Sequence, residues 1–121
     1  MGKLTTHILD TASGLPGENI QLRLYRCAPN EESRGDILLI TALTNEDGRC
    51  NAPLLEGDDM QCGTYRLEFD VADYYRAQGL DLPEPPFLDI VDIRFGISDA
   101  DSHYHVPLLV SPYGYSTYRG S

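Results

Sequence analysis

The chain has no tryptophan, only three histidines and three cysteines, and no apolar run approaching the length of a membrane span. Cys27, Cys50 and Cys62 are odd in number, widely spaced and without a CxxC pair. They read as free thiols in a reducing compartment, not as a disulfide framework. Positive charge is scarce: nine Lys and Arg stand against 19 Asp and Glu, a formal net charge of -10. Nucleic acid and anionic membrane surfaces are therefore not expected partners, although a local group of Arg and His can still hold a small anion. The opening MGKLTTHILD carries no apolar secretory segment, and a cytoplasmic location is expected. No GxGxxG, P-loop, EF-hand or GxSxG pattern occurs, which leaves those chemistries without support.

What is present fits one domain spanning residues 1–121. A chain of this length buries roughly two-thirds of its unfolded surface and can hold a core without staples. Eight tyrosines against three phenylalanines favour pockets and interfaces that are half apolar and half hydrogen-bonding. Turn clusters at 13–19, 45–48, 56–59 and 81–86 separate short runs of period two. In IQLRLY, Ile20, Leu22 and Leu24 share a face; in TYRLEF, Tyr65, Leu67 and Phe69 do; in IVDIRFGI, Val91, Ile93, Phe95 and Ile97 do. ILLITAL, 37–43, is apolar throughout and predicts a central strand covered on both sides. One segment reads as helical, about residues 71–78, with Asp70 as N-cap and Gly79 at its end. The pattern predicts an all-β sandwich with one short helix, a small barrel being the alternative.

The last two runs differ. HYHVPLLV, 103–110, contains Pro107, which cannot donate to a ladder and predicts an edge or a bulge. His103 and His105 share its face with Pro107 and Leu109. In the terminal run, Gly114, Ser116, Tyr118 and Gly120 face one way, and Tyr113, Tyr115, Thr117 and Arg119 the other. A face of Gly, Ser, Tyr and Gly cannot fill a core, so a ligand or another subunit must occupy the space. Near-neutral titration makes His7, His103 and His105 natural acid–base groups, although a single histidine is more often a surface or structural residue. Three imidazoles could also make a zinc site, the minority reading. Arg49 follows the tight turn NEDG and starts a strand, so it can project into a cleft.

LTTHILDTASGLP, TNEDGRC, FGI and HYHVPLLVSPYGYSTYRGS occur in the order found in the transthyretin-related 5-hydroxyisourate hydrolases. The chain resembles that family from residue 4 to 121, with the terminal YRGS as its most specific part. The resemblance implies a transthyretin-like sandwich of two four-stranded sheets, assembled as a homotetramer, a dimer of dimers with active sites in the channel between them. It implies cofactor-free hydrolysis of 5-hydroxyisourate to 2-oxo-4-hydroxy-4-carboxy-5-ureidoimidazoline, with no metal. Residue by residue, it implies catalytic roles for His7, Arg49, His105 and Ser121, Ser121 as proton donor. His7, Arg49, Tyr118, Arg119 and Gly120 would bind substrate, and His103 would support at most. Which histidine is the base stays open. The alternative within the same fold is a transthyretin-type carrier, whose channel would instead want apolar and lysine residues.

Overall fold

The computed structural model describes residues 1–28 and 35–120. Residues 29–34 lie outside the described residues, as does Ser121. The alternating runs become nine strands among the described residues: β1 (Lys3–Asp10), β2 (Leu15–Pro16), β3 (Gln21–Arg26), β4 (Ile37–Leu43), β5 (Leu55–Glu56), β6 (Gly63–Asp70), β7 (Ile90–Ile97), β8 (His103–Ser111) and β9 (Gly114–Thr117). The one α-helix among the described residues, α1 (Val71–Ala77), links β6 to β7. The first sheet runs β2-β1-β8-β9, with β5 pairing β1 beside β2; the second runs β4-β3-β6-β7. All pairs are antiparallel except β1 with β8, which is parallel.

The expected apolar faces meet between the sheets. Ile20, Leu22 and Leu24 are fully buried against Tyr65, Leu67, Phe69, Val91 and Ile93 of the second sheet and Leu4, Ile8, Tyr104, Val106 and Leu108 of the first. No buried side-chain nitrogen or oxygen among the described residues lacks a hydrogen-bond partner. Arg23, Arg66, Glu68 and Asp70 pair with one another on the outward face of the second sheet. Among the described residues no helix is long and apolar enough to cross a membrane. All three cysteines are free thiols.

Two local expectations change. ILLITAL is the edge strand β4, not a central one: it pairs only with β3, and Ile37, Leu38, Leu39 and Leu43 are exposed. Ile40 and Ala42 alone pack against the core, because the strand touches the sandwich through one face. Asp70 occupies the N-cap of α1 but makes no side-chain cap. Its carboxylate is taken by Arg23, a charge-assisted and bidentate contact that outcompetes a neutral backbone N–H.

The helix is held to the first sheet from the side. Tyr74 and Tyr75 donate their hydroxyls to the two oxygens of buried Asp10, at 2.8 and 2.7 Å. Tyr75 also reaches the Val110 carbonyl. Burial pushes the Asp10 carboxyl up, but the hydrogen bonds from Tyr75 and Tyr74, with Ser13 and Ala12, outweigh it and hold it below the usual value. This knot fixes the C-terminal ends of β1 and β8, the two strands that carry the histidines.

Candidate active site

The parallel register of β1 and β8 sets Lys3 opposite His103, Thr5 opposite His105 and His7 opposite Pro107. Period two sends Leu4, Thr6 and Ile8, with Tyr104, Val106 and Leu108, into the core. Thr5, His7, His103 and His105 are left on the outward face. The His7 and His105 ring centroids are 6.5 Å apart, and those of His103 and His105 are 6.4 Å apart. Between the last two stands a single hydroxyl. Thr5 Oγ1 lies 2.9 Å from His103 Nε2 and 2.8 Å from His105 Nδ1.

Arg49 is delivered by the turn Asn45–Gly48. The Asn45 side chain accepts the backbone N–H groups of Asp47 and Arg49. Gly48 sits at φ +75°, and a Cβ there would lie 2.4 Å from the Ile8 carbonyl oxygen. Only glycine lets the turn approach β1 so closely that the Ile8 N–H reaches the Gly48 carbonyl. Arg49 thereby forms an isolated bridge with His7.

The tail reaches the site by keeping the β8 register past Pro107. This residue lies in β8, an interior strand and not an edge. Val106 turns its carbonyl toward β1, where the Thr6 hydroxyl donates to it. Its neighbours His105 and Pro107 therefore turn theirs toward β9. The missing Pro107 N–H falls opposite Tyr118, one residue past the end of β9, so no β9 ladder bond is lost. The Thr117 hydroxyl donates to the Pro107 carbonyl at 2.7 Å. Pairing then lapses at Tyr118 and Arg119 and resumes in the same register, where the Gly120 N–H donates to the His105 carbonyl at 2.7 Å. A Cβ on Gly120 would stand 2.7 Å from His105 Cδ2, so this close approach also requires glycine.

These parts enclose an open cavity of about 520 Å³. Arg49, His103, His105, Tyr118 and Gly120 line it, with Thr5, Thr6 and the wall Cys50–Pro53. No Asp or Glu among the described residues lines it. His7 stands beside this lining, between Arg49 and His105. Arg119 lies elsewhere: its guanidinium is 4.1 Å from the Tyr104 ring centroid, in a smaller cavity of about 230 Å³ toward β7. Ser121 lies outside the described residues. No group of three or more His, Cys, Asp or Glu among the described residues is arranged to hold a metal ion.

Burial lowers the His105 pKa, and the Arg49 charge lowers it further, as do the neighbouring His7 and His103 rings, which would repel a second charge. Burial also lowers that of His7, helped by Arg49 and opposed by the backbone and carboxylate of Asp47. Both imidazoles are therefore neutral near pH 7, able to accept a proton beside a fixed cation.

The profile of the HIUase/transthyretin family matches residues 4–120. The chain belongs to the HIUase/transthyretin family. A relative named 5-hydroxyisourate hydrolase, from Pseudomonas aeruginosa, is 59% identical over 121 residues, covering 100% of this chain and 93% of the relative. Among solved structures, an (S)-allantoin synthase superposes with a TM-score of 0.91 and 43% identity. It covers 99% of this chain, which spans only 44% of that one. Sea bream transthyretin in complex with thyroxine superposes with a TM-score of 0.83 and 27% identity, covering 98% and 94% of the two chains.

For this HIUase/transthyretin family member, the residues that the resemblance implied as the site are His7, Arg49, His105, Tyr118, Arg119, Gly120 and Ser121; the fold brings His7, Arg49, His105, Tyr118 and Gly120 together, while Arg119 points to the smaller cavity. Sequence reading does not single out Thr5 or the wall residues Asn51, Ala52 and Pro53. The available signal for Thr5 was its spacing of two from His7, which puts both on one strand face. The parallel pairing that sets Thr5 against His105 joins residues 100 positions apart and leaves no local trace.

Proposed function

We propose that this family member hydrolyses 5-hydroxyisourate to 2-oxo-4-hydroxy-4-carboxy-5-ureidoimidazoline, a step of urate breakdown, using its own side chains as the catalytic groups. The observation that carries this reading is the convergence of His105, Arg49 and Tyr118 on one open cavity, with His7 against Arg49. The 59% identity to a relative bearing the hydrolase name supports it. A lining of Thr5, Arg49, Asn51, His103 and His105 favours polar substrate chemistry over a carrier channel for an apolar ligand.

In this reading His105 is the general base. Its Nδ1 is engaged by Thr5, which leaves Nε2 to take the proton of a water attacking the ring carbonyl. The Arg49 guanidinium holds the oxygen-rich substrate and stabilises negative charge as it develops on that carbonyl oxygen. His7, between Arg49 and His105, orients substrate. The Tyr118 hydroxyl does the same from the tail, which Gly120 anchors to His105 and Arg119 anchors to Tyr104. Ser121 relays a proton to the leaving ring nitrogen, the role the family resemblance gives it.

The same reading makes the protein a cytoplasmic homotetramer. β7 and β9 each end their sheet, line one small cavity together and pair on one side only among the described residues. Tyr113, Tyr115 and Phe87 are exposed nearby. These open edges and exposed aromatics support subunit contacts.

The test generates 5-hydroxyisourate with urate oxidase and follows its ultraviolet absorbance. Added protein should accelerate decay well beyond the spontaneous rate, and deletion of residues 118–121 should abolish the acceleration. Decay unchanged by the intact protein refutes the reading.

A further inference from the structure

The hydroxyl between His103 and His105 carries a consequence beyond the positions of the two rings. Thr5 Oγ1 is within hydrogen-bond distance of Nε2 of one ring and Nδ1 of the other. A hydroxyl has one proton to give and lone pairs to accept with. It cannot donate to both rings, so at least one ring nitrogen must donate to Thr5. Where the hydroxyl gives its own proton to the other ring, the tautomers of the two histidines are set together. Both rings line the cavity, but they differ in exposure: His105 is half-buried, whereas His103 is exposed at the start of β8.

We propose that Thr5 is a positioning residue that links His105 to His103 as one proton-sharing unit, with His103 holding the proton that His105 takes from the attacking water. This rests on the hydrolase reading above. In the starting state His105 donates Nδ1–H to Thr5, and the Thr5 hydroxyl donates to His103 Nε2. When His105 Nε2 takes the water proton, its Nδ1–H bond breaks and that proton passes to Thr5 Oγ1. The Thr5 O–H bond breaks in turn, and its proton passes to His103 Nε2. His105 is left neutral, protonated on Nε2, and His103 becomes the imidazolium. When the leaving nitrogen is protonated, His105 Nε2 gives up its proton toward it, and Nδ1 recovers one from Thr5 as His103 returns its own. One proton moves from water to the leaving nitrogen, and no net charge is gained.

The arrangement suits its surroundings. Arg49, from the turn at 45–48, and His7, on β1, both bear on His105 and disfavour a positive charge there. Tyr118 faces the same cavity from the tail. His103 stands opposite Lys3, and both are exposed, so water solvates a charge stored at His103.

The test compares Thr5→Val, which keeps the shape and removes the hydroxyl, with Thr5→Ser, His103→Gln and the double variant T5V/H103Q, all in the full chain. Thr5→Val and His103→Gln should each lower kcat by roughly 10- to 100-fold with KM nearly unchanged. The double variant should be no slower than the worse single one, and Thr5→Ser should recover most of the loss. Wild-type kcat in Thr5→Val, or losses that multiply in the double variant, would overturn the link. Histidine 15N spectra give a reading that does not depend on turnover. His105 should carry its proton on Nδ1 in the wild-type protein and lose that preference in Thr5→Val. Identical spectra overturn the link even if the hydrolase reading itself fails, and an altered tautomer in an inactive wild-type protein would separate the two failures.

Discussion

Replacing Gly120 with alanine places a methyl carbon 2.7 Å from His105 Cδ2 and 3.2 Å from its Cβ and Cγ. Carbon atoms in contact prefer roughly 3.5 to 4.0 Å, so the closest pair is short by about 0.8 Å or more. The ring cannot absorb this freely, because Thr5 holds its Nδ1 and the Cβ contact is fixed by the strand. Either the imidazole turns away or the tail lifts and loses the Gly120 N–H bond to the His105 carbonyl. A displacement near 1 Å in a working site costs on the order of 100-fold in rate. The stability cost is one backbone hydrogen bond at an exposed tail, about 1 kcal/mol. Gly120→Ala should therefore lower kcat/KM on 5-hydroxyisourate by about 100-fold while urea unfolding moves little. A kcat/KM within about threefold of wild type would refute the coupling between tail and imidazole, and so would a fall fully explained by unfolding.

Arg49→Lys keeps the charge but loses the planar fork, and kcat/KM should fall by about 100-fold or more in the absorbance assay; a smaller loss would mean that a point charge suffices. His7 and His105 both titrate below the ordinary imidazole value of 6.5, so each stays neutral until pH falls through its lowered value. kcat/KM should thus show its acid limb below pH 6.5, and an acid limb above that value counts against an imidazole base. Because the unfolded imidazoles protonate first as pH drops below 6.5, the unfolded state binds more protons there and stability falls with falling pH, readable as a shift in the urea midpoint. Asp10→Asn leaves one carbonyl oxygen to meet two tyrosine hydroxyls and the Ala12 N–H, which should cost about 1–3 kcal/mol in urea unfolding with kcat little changed.

The sequence made the sandwich legible where a strand had one wet face. Leu22 and Leu24, Leu67 and Phe69, and Val91 and Ile93 alternate with polar residues, and each member of those pairs is buried. It misled at β4, because an unbroken apolar run has the same composition whether it is covered on both sides or open at an edge. It misled at Pro107 for a different reason. The rule that bars proline from interior strands concerns the missing donor, and here that donor points past the end of β9. For the site, residue type flagged His7, Arg49 and His105, but their assembly depends on the parallel register of β1 with β8 and on the reach of the 45–48 turn. Both are long-range facts, and Thr5 became visible only through the first of them.

A formal charge of -10 would seem a poor host for an oxygen-rich, partly anionic substrate. The fold sets part of the negative charge apart from the site. Glu68, Asp70, Asp36 and Asp92 lie with Arg23 and Arg66 on the outward side of the second sheet. Lys3, Arg49 and the three histidines lie on the outward side of the first. Two packed sheets stand about 10 Å apart, already beyond the roughly 8 Å Debye length at physiological salt. The substrate therefore feels Arg49 at contact and that second-sheet face only weakly, with Asp47 by His7 and Glu56 opposite Lys3 as the nearer carboxylates. This predicts the sign of the salt effect. If Arg49 dominates, KM should rise as salt increases from 0.05 to about 0.5 M, because an attraction is being screened. If the net charge dominated, screening a repulsion would lower KM instead. Arg49→Gln should flatten the dependence, and a KM that falls with salt in the wild-type protein would show that charge separation between the two faces does not govern substrate capture.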